Sequence, residues 1–177
     1  MIRKPEKVDP KIYYASFIDK VKEEDLIIAL SNSLNETEEL IKQVSNKEET
    51  FAYAPGKWNI KQLIQHMIDC ERILAYRLLS LARNEKGKLL GFEENNYIEF
   101  DGTALLTLPS IFEDFKIARL STISLVKSLP IKNLDFFGNA NGIDCTARMM
   151  GWFISGHNIH HNQVLRDRYL SALKIDN

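Results

Sequence analysis

Residues 146–170 read Thr-Ala-Arg-Met-Met-Gly-Trp-Phe-Ile-Ser-Gly-His-Asn-Ile-His-His-Asn-Gln-Val-Leu-Arg-Asp-Arg-Tyr-Leu and hold three of the chain's four histidines. No proline interrupts them, and apolar residues return at helical spacing at Met150, Phe153, Ile154, Val164 and Leu165. This period predicts one long amphipathic helix. At about 100° per residue and with Met150 as zero, Phe153 falls at about −60°, Ile154 at about +40°, Val164 at about −40° and Leu165 at about +60°. His157 then lies at about −20° and His161 at about +20°, astride the apolar stripe, while His160 sits on its flank at about −80°. The i, i+4 pair therefore points into a core, where a charged imidazole is costly without a partner. A divalent metal suits two neutral imidazoles one turn apart.

The fourth histidine, His66, follows Asn59-Ile-Lys-Gln-Leu-Ile-Gln and lies beside a second apolar stripe made by Leu63, Met67, Cys70, Leu74 and Leu78. A bundle that set the two stripes face to face would bring His66, His157 and His161 together. Three histidines with a free fourth position describe a site built for reaction more than for support.

The totals fit such a bundle. A chain of 177 residues, 45% hydrophobic and 27% charged, reads as a single domain over residues 1–177 with enough length for a full core. Its net charge of −1, with signs mixed throughout, gives no phosphate-binding surface and argues against a nucleic-acid partner. No apolar run reaches the roughly 18 residues of a membrane span, so no membrane partner is expected. The first residues, Met1-Ile-Arg-Lys-Pro-Glu-Lys-Val-Asp9, lack an apolar signal core, and the expectation is a cytoplasmic protein. The two cysteines, Cys70 and Cys145, make no disulfide framework.

Taken in order, residues 10–21 form a short apolar-faced helix over one end of the core. Leu26, Leu30, Leu34, Ile41 and Val44 mark a first long helix from about Asp25 to Ser45, with Glu36-Thr-Glu-Glu39 as its solvated face. Asn59 and Gln62 form a capping box for the second helix, with Trp58 stapled onto Leu63, and that helix runs to about Arg83. Residues 84–108 are the longest irregular stretch; they either cap a metal mouth with Phe92, Tyr97 and Phe100 or merely cross the bundle. A Ser110-x-x-Glu113 box after Pro109 predicts the start of the third helix, which Pro130 ends. Gly138-Asn-Ala-Asn-Gly142 is a hairpin turn signature, and Thr146 or Asp144 caps the fourth helix. The fold class is all-α: a four-helix bundle with a long crossover connection between helices two and three.

Several neighbours of the histidines have two readings. Cys70, one turn after His66, is a thiolate ligand or a small buried hydrophobe. Asp69 and Glu71 either orient a histidine or face water. Tyr97, Glu71 and His160 are the candidates for a general base, and Arg166-Asp167-Arg168 reads as an exposed, charge-balanced face.

Lys57-Trp58-Asn59 ahead of His66 and Glu71-Arg72, then Gly91-Phe92-Glu93, then Gly156-His157-Asn158-Ile159-His160-His161, together resemble the DinB-like superfamily of metal-binding four-helix bundles. The resemblance covers the chain from about residue 25 onward. It implies that His66, His157 and His161 are the metal ligands, the three that the face argument selects, and that the metal is zinc or nickel. It also implies a small-molecule substrate, in some relatives a low-molecular-weight thiol such as bacillithiol or mycothiol, and a homodimer. The function it implies is a metal-dependent transferase or hydrolase. The alternative is a non-catalytic bundle in which the histidines are structural. Because imidazoles must be neutral to bind, a metal held this way is expected to leave below a pH of roughly 6.

Overall fold

The computed structural model describes residues 1–175, and among them helices dominate. In chain order they are α1 (Ala15–Ile18), α2 (Leu26–Ile41), α3 (Ile60–Ala82), α4 (Glu94–Glu99), α5 (Leu108–Ser128), α6 (Ala147–Val164) and α7 (Ser171–Ile175). The four long helices form the expected bundle. Helix α6 packs on α2 and α3, and α5 packs on the same two from the other side, so α2 and α3 stand across the bundle from each other. Helix α1 lies over α6.

Each start follows from a side chain that accepts orphan amide protons. Asp25 caps α2 by accepting from the amides of Ile27 and Ile28, and Asn59 and Gln62 close the reciprocal box on α3. Thr146, not Asp144, caps α6 by accepting from Met149 N–H. Helix α5 departs from expectation. Thr107 caps it, the helix begins at Leu108, and Ser110 and Pro109 fall inside the first turn. Proline is tolerated there because that turn has no amide partner to lose.

The crossover between α3 and α5 is not bare loop. It contains α4, and its Leu89 exchanges backbone hydrogen bonds with Asn139 and Asn141 of the predicted hairpin. That hairpin pairs β1 (Phe137–Ala140) with β2 (Ile143–Thr146) around Asn141 and Gly142, whose φ of 54° and 76° make the left-handed turn that Asn-Gly favours.

The last long helix is interrupted. After Val164 the backbone widens into a π turn over Leu165–Leu170 before α7 resumes. The turn sends the Tyr169 hydroxyl to the carbonyl of Trp58, a 2.7 Å hydrogen bond that ties the end of the bundle to the start of α3. Two apolar clusters fill the bundle, one around Trp152, Leu78 and Leu26 and one around Phe115, Ile64 and Leu165. The histidines lie on α3, which runs through both clusters, and on α6, whose buried apolar residues belong to the first.

Candidate metal centre

The rotation of α3 is set at its first turn. Asn59 Oδ1 accepts from Gln62 N–H at 2.9 Å, Gln62 Oε1 accepts from Asn59 N–H at 3.0 Å, and the Trp58 ring stacks on His66 with centroids 4.7 Å apart. On α6, Gly156 lets the backbone of α1 pass closely. A Cβ there would meet Phe17 O at 2.2 Å and Phe17 C at 2.5 Å. Phe17 consequently sits 6.0 Å from the His157 ring and 5.2 Å from that of His160, walling off one side of the pair.

Nε2 of His161 lies 3.1 Å from Nε2 of His66 and 3.1 Å from Nε2 of His157. The three residues therefore lie close enough to hold one metal ion. Protons alone do not satisfy this arrangement. Nε2 of His161 carries either one proton or one lone pair, so it can make one well-aligned hydrogen bond and not two. A cation accepts all three lone pairs at once. Metal bonds of about 2.0–2.1 Å at a near-tetrahedral angle separate two imidazole nitrogens by about 3.4 Å, close to the spacing here.

The electrostatics agree. Burial, reinforced by His160, lowers the pKa of His66 to about 4. Burial and then the neighbouring imidazoles hold His157 and His161 well below the ordinary histidine value. All three rings are neutral at neutral pH. His160 turns away, stacked edge-on against Phe17 and His161, and is not in the group.

Cys70 is buried with Sγ 3.6 Å from His66 Nε2. Burial pushes its thiol well above the usual range, so the small-hydrophobe reading fits it better than a thiolate. Glu71 corrects an expectation. It neither faces water nor touches a histidine: its carboxylate accepts 2.8 Å bonds from Nε and Nη2 of Arg119, deep between α3 and α5. Of the three aromatic residues expected at the mouth, Phe92 lines a cavity shared with His157, whereas Tyr97 packs on Phe92 and Phe100 is exposed. Glu94 of α4 places a carboxylate oxygen within 4.8 Å of the Cys70 thiol and a His66 ring nitrogen. It shares a small cavity of about 60 Å³ with His157, Cys70, Tyr13 and Phe92. A separate cleft of about 260 Å³, lined by Trp58, Asn95, Tyr53 and Tyr169, opens onto His161.

A family model for the DinB superfamily matches residues 29–165. The chain belongs to the DinB superfamily. Among solved structures, this DinB chain is similar to YfiT from Bacillus subtilis, described as a probable metal-dependent hydrolase with an unusual four-helix bundle topology. The two are 13% identical, with a TM-score of 0.74 over 96% of this chain and 93% of that one. That likeness is one of fold. No curated protein matches the chain.

Two features of the DinB bundle around the centre escape a reading of the sequence alone. Asn158 and Asn162 share one face of α6 at i, i+4 and bond Thr37 on α2, while Asn162 and Arg166 both reach Glu36. The polar spacing of 158 and 162 repeats that of 157 and 161 and is the one clue to them. Arg119 is legible only as a charge on the apolar stripe of α5, one turn after Phe115.

Proposed function

We propose that the chain is a metal-dependent enzyme of hydrolytic type, with His66, His157 and His161 as the metal ligands and a small molecule as substrate. The observation that carries this reading is the convergence of three neutral imidazoles beside two cavities, with Nε2 of His161 3.1 Å from Nε2 of each of the other two. Zn²⁺ or Ni²⁺ suits the donors, since imidazole favours both and nothing harder is in the group. A divalent ion held there supplies Lewis acidity, which acidifies water and polarises a carbonyl. The chain's own part is to hold the three rings neutral, orient them through the Trp58 stack and the Gly156 crossing, and leave access through the cleft. The description of YfiT favours hydrolysis over transfer to a thiol, although an open coordination position serves either nucleophile.

The test strips the protein with a chelator, reloads it with Zn²⁺ or Ni²⁺, counts metal per chain, and assays small amides, esters and lactones. A thiol paired with an epoxide runs alongside. One ion per chain, with turnover abolished by chelation and in His157→Ala, is expected. Consumption of thiol with the epoxide moves the reading to S-transfer, and failure to take up metal overturns it.

A further inference from the structure

Hydrolysis at this centre needs a proton acceptor, and the residues around it differ sharply in their freedom to be one. Glu71 is fully engaged by Arg119. His160 is wedged edge-on between Phe17 and His161. Asp69 accepts from Gln65 at 2.9 Å. Glu94 is unlike these: its carboxylate accepts no hydrogen bond and pairs with no cation among the described residues, yet an oxygen of it lies within 4.8 Å of a His66 ring nitrogen. It also lines the same small cavity as His157, whose Nε2 is one of the three converging atoms.

We infer that Glu94 is a catalytic residue of the hydrolytic reading, the carboxylate that takes the proton from the attacking water at the three-histidine centre. The assignment rests on that reading. A carboxylate with free lone pairs, lining a cavity that His157 also lines, is in place to accept a hydrogen bond directly or through one water. Arg77, which lines the same cavity, is held by the carbonyl of Leu90 at 2.6 Å and does not neutralise it. Tyr13 and Phe92 give the same cavity an aromatic side. Partial burial and the adjacent Glu93 raise the pKa of Glu94, which makes it a stronger base than a fully solvated carboxylate.

The step balances without a further reactant. One water proton passes to the Glu94 carboxylate as the water oxygen bonds to the electrophilic carbon of the substrate. The bond from that carbon to the leaving group then breaks, the leaving group departs with the proton from Glu94, and the carboxylate is restored. Placing this base on α4 also gives the crossover a role, since it carries the base to a centre whose ligands all lie on α3 and α6.

The experiment uses Co²⁺-loaded protein, in which the visible absorption of the ion reports its surroundings, and compares wild type with Glu94→Gln. Acetohydroxamic acid is the probe, because a neighbouring carboxylate takes up the proton it sheds on binding. Expected are unchanged cobalt stoichiometry and chelator-competition affinity, a loss of about tenfold or more in hydroxamate affinity, and a fall in kcat of about 10²–10⁴ with little change in KM. Formate should partly restore turnover in Glu94→Ala. Equal hydroxamate affinity in wild type and Glu94→Gln overturns the assignment while leaving the metal-enzyme reading intact. Loss of cobalt in Glu94→Gln overturns it too, since Glu94 would then be a ligand. Wild type that takes up no cobalt brings down the reading and this assignment together.

Discussion

At the residue scale, the sequence exposes side chains whose chemistry conflicts with their position and hides those whose conflict is resolved from another element. His157 and His161 are legible because two imidazoles astride one apolar stripe have no local way to be satisfied. Arg119 is not, because its solution lies on two other helices. Its guanidinium spans Glu71 on α3 and the Leu30 carbonyl and Ser33 hydroxyl on α2, all at 2.7–2.8 Å, and it is 0% exposed. Arg119→Met would strand the Glu71 carboxylate, itself only 3% exposed, in the core. The expected loss is about 3–5 kcal/mol by urea denaturation. Removing both charges in Arg119→Met/Glu71→Leu should recover most of it, because the cost comes from the orphaned ion and not from a missing attraction. A single variant as stable as wild type would show that Glu71 finds another partner.

At the scale of elements, the starts of helices with a side-chain cap and an apolar period fall within a residue or two of where the sequence places them, as with α3 behind Asn59 and α6 behind Thr146, whereas α2 stops at Ile41, short of the expected Ser45. The other misplaced boundaries share a cause, which is that local signals compete. Ser110 offers a box, but Thr107 caps one turn earlier and lets Leu108 and Ile111 bury together. The π turn at Leu165–Leu170 leaves no period to read, since it exists to rephase Tyr169 and Leu170 onto the core. Contact between elements sets the sign of one substitution. Glycine inside a helix ordinarily gives way to alanine with a gain of about 0.5–1 kcal/mol. At Gly156 the new methyl would strike the backbone of Phe17, which no rotamer change can move aside. Gly156→Ala should therefore destabilise by about 1–3 kcal/mol and speed hydrogen exchange in α1. A more stable variant would mean that α1 is not seated there.

At the scale of the whole molecule, the three histidines link stability to pH and to metal. In the unfolded chain each titrates at about 6.5. In the folded chain His66 is lowered to about 4, and His157 and His161 fall well below the ordinary value. Between these limits the unfolded state binds more protons, so stability rises with pH. The metal-free protein holds its full stability above about 6.5 and loses up to about 1.4 kcal/mol per pH unit for each histidine as pH falls towards 4. The carboxyls of Asp69 and Glu94, raised mainly by burial, oppose this in part, because there the folded state binds more protons than the unfolded one. The same depression shifts the expected metal release. A solvent-exposed histidine site would empty below roughly 6, whereas rings kept neutral by burial let protons compete only nearer 4, until acid unfolding opens the site. Urea midpoints measured from pH 4 to 8 with metal and with chelator should show the chelated curve falling steadily and the metal-loaded curve staying above it until the two meet near the acid end. A chelated curve flat between pH 7 and 5 would mean that the three rings are solvated or charged in the folded state, and a buried cation at their meeting point would then lose its physical basis.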